Sequence, residues 1–310
     1  MKISQKILVV ISGKRKQHEA LERALKFAEY TDVHIHIFNS IYEPVTALTD
    51  VLSSEHRKEM KRQYVADRYL YMDTIAAELD KKGIKCSVRV VWHRELQEAI
   101  EEAVIELEPD LVIKRISADA GSHNPFTMPV DRHLLRYCPA PLLLVLEAVW
   151  AKGPILAAVD PMTNDPAHIA LNHDVLEYTK MLGHLTENAI HSVNTFETPA
   201  MSPAIDLPGI DYDLMRKDTA AMHQKKMALL MTEHAFEVDN IHLAEGSAEI
   251  AIAHTAKDIK AQIVVLGTVG RKGLAAALFG NTAERVLAKL SCEVLAIKPN
   301  IPSKKAEQGS

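Results

Sequence analysis

Cysteine is scarce: Cys86, Cys138 and Cys292 are the only three in 310 residues. Their number is odd, they lie far apart, and no CxxC or zinc-ligand spacing occurs. A disulfide framework and a cysteine-based zinc module are thereby excluded. Long apolar runs are missing too. The most apolar stretch, Pro141 to Trp150, is interrupted by Glu147 and falls far short of the roughly 20 residues a membrane span needs. An excess of charge of one sign is also absent. Lys and Arg number 36 against 41 Asp and Glu, a net charge of −5. The first 150 residues hold 21 basic and 22 acidic groups, the remainder 15 and 19. Neither half has the basic surplus of a protein that grips nucleic acid through its phosphates, so no nucleic-acid partner is expected. The opening MKISQKILVV enters a strand pattern directly, with no small-residue cleavage site behind an apolar core. With unpaired thiols this sets the expectation of a cytoplasmic protein. Hydrophobic residues at 47% and charged residues at 25% are ordinary for a globular chain and exclude disorder of its bulk.

What is present is a chain written twice. At an offset of 152, Asp110-Leu-Val-Ile-Lys114 falls on Gln262-Ile-Val-Val-Leu266, Leu134-Leu135 on Val286-Leu287, and Leu142 to Val145 on Val294 to Ile297. The first strands, Lys6-Ile-Leu-Val-Val10 and Pro154-Ile-Leu-Ala-Ala158, match at an offset of 148. The constancy of one offset over several elements carries the signal. Domains are expected at 1–150 and 151–300, with 301–310 as a disordered tail.

Each half alternates strands with helices. In the first, strands are expected at 6–11, 33–38, 84–91, 110–114 and 141–146. Helices are expected at 17–30, up to about 80, at 95–107 and at 130–137. Ala20, Leu21, Ala24, Leu25 and Ala28 form the apolar face of the first helix, and Lys82-Gly83 ends the second. In the second half, strands are expected at 154–159, 188–194, 237–243, 262–266 and 293–297. Such alternation implies an α/β fold, here two tandem doubly wound, Rossmann-like domains, each on a five-stranded parallel sheet. Ligands of these sheets sit at the carboxyl ends of the strands, where strand order reverses. The long connections Ser40 to Ser53 and Glu197 to Asp213 read first as variable surface loops, with lids or binding loops as the alternative.

The chemistry-bearing stretch follows the fourth strand of the second half: Gly267-Thr-Val-Gly270-Arg271-Lys-Gly273, then Leu274 to Phe279, then Gly280-Asn281-Thr282-Ala-Glu284. Glycine at a strand end lets backbone amides approach a ligand closely, and a run of such amides forms a concavity for an anion. Arg271 adds positive charge. Asn281-x-x-Glu284 is a capping-box pattern, which starts a helix, and a helix N-terminus suits phosphate. The stretch is not a Walker P-loop, since Gly-Lys-Ser/Thr is missing, and not a GxGxxG fingerprint after a first strand. From the residues alone, phosphate binding stands level with a glycine-shaped turn in which Asn281 is only a cap.

The spacing Gly267-xx-Gly270, nine residues, then Gly280 resembles the nucleotide-binding motif of the universal stress protein family. The resemblance covers nearly the whole chain as two tandem domains. It implies a role in stress resistance and a pseudo-dimer of the two halves, with a homodimer also open. It also implies that Asp160, after the first strand of the second half, contacts the base, with a backbone group near Asn194 beside it. Gly267, Gly270, Arg271, Gly273, Gly280, Asn281 and Thr282 would hold the phosphates and ribose of ATP or another nucleotide-containing ligand. Asn281 stands where the family has Ser or Thr; its amide can also donate. In the first half, Ser12 takes the place of Asp160, and Arg115, Ala118 and Met128 replace Gly267, Gly270 and Gly280. That half is expected to have lost the nucleotide site; Arg115 and Arg132 read first as solvated surface cations, with the holding of another anion as the alternative.

His34 and His36 alternate and share one strand face, with no third ligand beside them. They read as partly buried histidines, and no metal site is expected. Met215, Met222, Met227 and Met231 read as adaptable core or interface on a helix. No HExxH or Gly-x-Ser-x-Gly occurs, and no catalytic residue is assigned. The expectation is a binding or regulatory module. A slow ATP hydrolase or nucleotidyl-transfer relative, a ligand-free scaffold, and a larger ligand such as a nucleotide-sugar conjugate are the alternatives.

Overall fold

The computed structural model describes residues 6–15, 17–44, 53–116, 129–146, 152–197, 211–236, 240–268 and 285–299. The chain divides into two compact units. The first is Met1–Lys152 with Ser291–Leu295, the second Gly153–Leu290 with Ala296–Ser310.

In the first unit the elements run β1 (Lys6–Val10), α1 (Glu19–Ala28), β2 (His34–Ile41), α2 (Ser54–Lys81), β3 (Lys85–Trp92), α3 (Leu96–Leu107), β4 (Leu111–Arg115), α4 (Pro129–Tyr137) and β5 (Leu142–Val145). The strands lie in the order β3-β2-β1-β4-β5, and each adjacent pair is parallel. The chain therefore steps outward from β1 to β3, then returns across β1 to β4. The carboxyl ends of β1 and β4 flank the reversal. Strands covered on both faces must be apolar throughout. Accordingly Ile7, Leu8, Val9, Leu111, Val112, Ile113, Leu143 and Val145 are wholly buried.

The second half of the chain repeats this plan with β6 (Ile155–Ala158), α5 (Pro166–Thr186), β7 (Ile190–Phe196), α6 (Tyr212–Glu233), β8 (Ile241–Glu245), α7 (Ala248–Asp258), β9 (Ile263–Gly267) and β10 (Glu293–Ile297), of which residues 293–295 are counted with the first unit. Its strands follow the order β10-β9-β6-β7-β8, with β6 parallel to both β7 and β9, and β7 parallel to β8. The reversal lies between β6 and β9.

Helix starts follow their caps. Ser53 accepts a hydrogen bond from the His56 N–H at the head of α2. Asp165 accepts from Ala167 N–H at 3.0 Å, with Pro166 in the first turn of α5. Asp211 accepts from Leu214 N–H at 2.9 Å, starting α6. Each side-chain oxygen satisfies a backbone donor that the first turn leaves unpaired. Ser53, which ends the first long connection, and Asp211, two residues before the expected end of the second, are thus caps. Residues 45–52 and 198–210 lie outside the described residues.

Several boundaries differ from the sequence pattern. β2 extends to Ile41 because β3 pairs with it as far as Trp92. β7 extends to Phe196 because β8 pairs with it as far as Glu245. Partner strands, not local propensity, set these ends. On α1 the buried apolar residues are Ala20, Leu21, Ala24 and Phe27, while Leu25 and Ala28 are only half-buried. The expected tail 301–310 lies outside the described residues. Among the described residues, no helix is long and apolar enough to cross a membrane.

Candidate functional site

Asp160 lies two residues beyond β6, and its backbone is held at both ends by one side chain of α5. The Asp160 N–H donates to Asn172 Oδ1 at 3.0 Å, and Asn172 Nδ2 donates to the Asp160 carbonyl at 2.7 Å. The carboxylate is partly committed, because its Oδ1 accepts from the Met162 N–H at 3.0 Å. This is an Asx-type turn, in which a short acidic side chain mimics backbone. The residue stays exposed.

Asn194 lies beside it on β7 and is 2% exposed. The sequence resemblance implied a backbone contact to a base near this residue. The structure gives the side chain a different task. Asn194 Nδ2 donates to the Val159 carbonyl at 3.1 Å, and Asn194 Oδ1 meets His223 Nδ1 at 2.6 Å. The amide thus joins the end of β6 to α6. His223 was not read from the sequence as a site residue. Its ring lies 5.6 Å from the Phe196 ring, tilted by 45°. Burial lowers its pKa from the ordinary histidine value, and the nearby Asp160 carboxylate partly opposes this. One further charge pair shares the α6 and β8 neighbourhood: Arg216 Nε lies 2.6 Å from Glu245 Oε2.

Gly267 closes β9, the strand beside β6. A Cβ built there would fall 2.3 Å from Leu171 Cδ2 and 2.7 Å from its Cγ. Glycine at 267 is therefore demanded by the close approach of α5, before any ligand is considered. Thr268 follows, with its N–H and Oγ1 both donating to the Ile297 carbonyl, at 2.9 and 3.1 Å.

Asp160, Asn194 and Gly267 therefore come together at the carboxyl ends of the three neighbouring strands β7, β6 and β9. Gly270, Arg271, Gly273, Gly280, Asn281 and Thr282 lie outside the described residues. Directly after them, residues 285–287 are helical.

The first unit keeps part of this arrangement. Val10 pairs with Phe38 and Ala158 with Val193, so Asn39 takes the register position of Asn194. Asn39 Nδ2 likewise donates to the carbonyl after the first strand, that of Ile11. The second strands thus correspond at an offset of 155. At that offset Arg68 stands in place of His223, and Met72 matches Met227, both methionines fully buried. The repeated Asn was the signal available in the sequence. It was hidden because the other elements align at 148 and 152.

Where the second unit has Asp160 and Gly267, the first unit has Ser12 and Arg115. Arg115 Nε lies 2.9 Å from Glu19 Oε1, and Lys14 Nζ 2.6 Å from Asp67 Oδ2. Tyr71 Oη donates to the Arg15 carbonyl at 2.7 Å and lies 2.8 Å from His18 Nε2. Arg115, expected as a surface cation, is instead ion-paired. Ala118 and Met128 lie outside the described residues.

The remaining sequence candidates resolve into packing. The His34 and His36 rings stack at 4.1 Å, and His36 Nδ1 lies 2.7 Å from Ser87 Oγ. Among the described residues no group of three or more His, Cys, Asp or Glu is placed to hold a metal. Met227 and Met231 are buried, whereas Met215 and Met222 are exposed.

The geometry is that of two repeated domains, and comparison with known proteins agrees. The family model of the universal stress proteins matches residues 4–145 and again 153–298. The chain belongs to the universal stress protein family. It is similar to the universal stress protein E homolog of Haemophilus influenzae, at 34% identity over 95% of this chain and 97% of that one. Universal stress protein E of Escherichia coli K12 is 32% identical over 97% and 96% of the two chains. A solved structure of a functionally unknown protein from Pseudomonas aeruginosa PAO1 superposes with a TM-score of 0.74 at 27% identity. It covers 96% of this chain and 93% of that chain. As a universal stress protein the chain carries two family domains in tandem, one keeping the Gly-xx-Gly, nine residues, Gly spacing and one without it.

Proposed function

We propose that this universal stress protein is a cytoplasmic binding or regulatory protein of the stress response, not a catalyst of high turnover. Its second unit holds a nucleotide or other phosphate-bearing ligand at the carboxyl ends of β6, β7 and β9. The observation that carries this reading is Asp160. Asn172 fixes its backbone on both sides and Met162 N–H occupies one carboxylate oxygen. The residue is exposed beside the strand-order reversal, where ligands of doubly wound sheets bind. A carboxylate there accepts from a base or sugar donor. The glycine spacing from Gly267 to Gly280, with Arg271 between, supplies amides and charge for phosphate on the β9 side.

The first unit lacks both halves of this device, with Ser12 for the carboxylate and Arg115 for the first glycine. It serves as the partner of the second in a pseudo-dimer, and further copies of the chain can add a homodimer.

Isothermal titration with ATP tests the reading. Binding is expected in the unmodified chain, with loss in Gly270→Arg and weakening of about tenfold in Asp160→Ala, the worth of one charge-assisted hydrogen bond. Equal binding by all three chains contradicts the assigned site. A parallel assay for released phosphate is expected to show no turnover above a Gly270→Arg control. Turnover that disappears in that variant favours the hydrolase reading instead.

A further inference from the structure

The carboxyl ends of β1, β2 and β3 in the first unit carry their own chemistry. Trp92 pairs with Ile41 and Glu245 with Phe196, so Trp92 takes the register position of Glu245. In the second unit Glu245 is ion-paired with Arg216 of α6. Lys61, the counterpart of Arg216 on α2 at the offset of 155, lies 5.4 Å from the Trp92 ring centroid. A cation over a ring thus replaces the ion pair. The Tyr42 and Tyr64 rings lie 5.9 and 6.1 Å from that of Trp92. A chain with only 5% aromatic residues gathers three rings at this corner. Tyr64 is exposed and Trp92 half-buried.

Arg68 follows Tyr64 by one helical turn on the same face of α2, with about 5–6 Å between such neighbours. It stands where α6 has His223. His223 is partnered by Asn194, but Arg68 Nε and Nη1 are shielded from solvent with no hydrogen-bond partner among the described residues. Asn39 Oδ1 shares that condition, while the Arg68 side chain as a whole is half-buried. Its neighbours on α2 fix its place. Asp67 Oδ2 lies 2.6 Å from Lys14 Nζ, and Tyr71 Oη donates to the Arg15 carbonyl at 2.7 Å, both in the segment leaving β1. Met72, one turn further on, is wholly buried. A shielded guanidinium without an acceptor is unfavourable until an anion is supplied, and its fork matches phosphate and carboxylate. In the ion pairs at the same strand ends, Lys14, Arg15 and Arg115 face only Asp67 and Glu19.

We propose that the first unit holds a ligand site of its own, for a small oxyanion carried on a flat ring, an aryl phosphate or carboxylate. Arg68 binds the oxyanion, and the Tyr64–Trp92 corner receives the ring. The site stands independently of the nucleotide reading of the second unit.

Phenyl phosphate, benzoate and inorganic phosphate are the probes, titrated into the full chain carrying Gly270→Arg to close the second-unit site. Trp150→Phe leaves Trp92 as the only tryptophan, and its fluorescence reports binding. A saturable change is expected with phenyl phosphate or benzoate, the tighter of the two naming the anion. Inorganic phosphate is expected to bind about fivefold more weakly than phenyl phosphate, the worth of one aromatic contact. Tyr64→Ala should remove that difference. Arg68→Leu should weaken the ring-bearing probe by about tenfold or more, and Arg68→Lys should keep part of the affinity. No saturable change with any probe, or equal affinity in Arg68→Leu, overturns the proposal and leaves the nucleotide reading untouched. Equal affinity for phenyl phosphate and inorganic phosphate overturns the part given to the ring. Melting gives a separate readout. Without a probe, Arg68→Leu is expected to melt no lower than its parent, because it removes an uncompensated cation. A lower melting temperature assigns Arg68 to structure and overturns the proposal.

Discussion

His223 Nδ1 lies 2.6 Å from Asn194 Oδ1, and this contact joins α6 to the carboxyl end of β7 beside the exposed Asp160. The same amide donates to the Val159 carbonyl. Asn194 thereby couples the strand that leads into Asp160, the strand beside it, and a helix that carries a titratable ring. Replacement by Ala leaves the Val159 oxygen and the His223 proton without their partner. A loss of about 1–3 kcal/mol is expected, the usual cost of buried polar groups left unpaired. The counterpart Asn39 has one such bond, to Ile11 O, and its Oδ1 has no hydrogen-bond partner among the described residues. Asn39→Ala should therefore cost less than Asn194→Ala. Urea unfolding of the two variants measures both, and the reverse order would contradict the account.

Gly267 meets Leu171 across the α5–β9 contact, with the missing Cβ 2.3 Å from Leu171 Cδ2. Gly267→Ala is expected to destabilise the second unit by about 1–3 kcal/mol through overpacking. Combination with Leu171→Ala should recover part of that loss, since the clash is with this side chain. Melting temperatures of the two single variants and the double variant give the coupling. Strict additivity would show that the glycine is not placed by packing.

The repeat and the strand positions were legible because parallel strands buried on both faces are apolar throughout, as in Leu111-Val-Ile113 and Ile263-Val-Val265. Asp160 was legible from its place after the first strand of the second half. The clamp by Asn39 and Asn194 was not. It depends on an offset of 155 that only strand pairing reveals. His223 was hidden in a stretch whose regular feature was methionine. Its role arises from a partner 29 residues earlier, which no local pattern encodes. The exposed Met215 and Met222 and the buried Met227 and Met231 show the same limit. A helix pattern names the residues, but the sheet decides which face is covered.

Lys114 and Asp131 form an ion pair at 2.5 Å in the first unit, with side chains 1% and 0% exposed. Lys114 Nζ also donates to the Arg115 carbonyl at 2.9 Å. Removal of one partner leaves an uncompensated charge in the interior. Lys114→Met or Asp131→Leu alone is expected to cost about 3–5 kcal/mol. The double replacement should cost less than either, because no charge remains to be buried. Chemical denaturation of the three variants tests this, and a double variant weaker than both singles contradicts it.

Acid should weaken the first unit through His36. Burial is the main cause that lowers its pKa from 6.5 to about 4, with the neighbouring His34 and Lys6 adding to the shift. Between those values the unfolded chain binds a proton that the folded chain refuses. Stability from this residue is complete above 6.5 and declines as pH falls toward 4. Thermal melts across that window should show a slope that flattens in His36→Gln. An unchanged slope would assign the acid sensitivity to other groups.

The central claim is that the second unit holds a phosphate-bearing ligand between Asp160 and the glycine stretch ending at Gly280. Mass spectrometry of the small molecules released on denaturing the purified protein tests it most directly, with Gly270→Arg prepared beside it. The account predicts a nucleotide or other phosphate compound from the unmodified chain and none from the variant. The same compound in equal amount from both chains would contradict it.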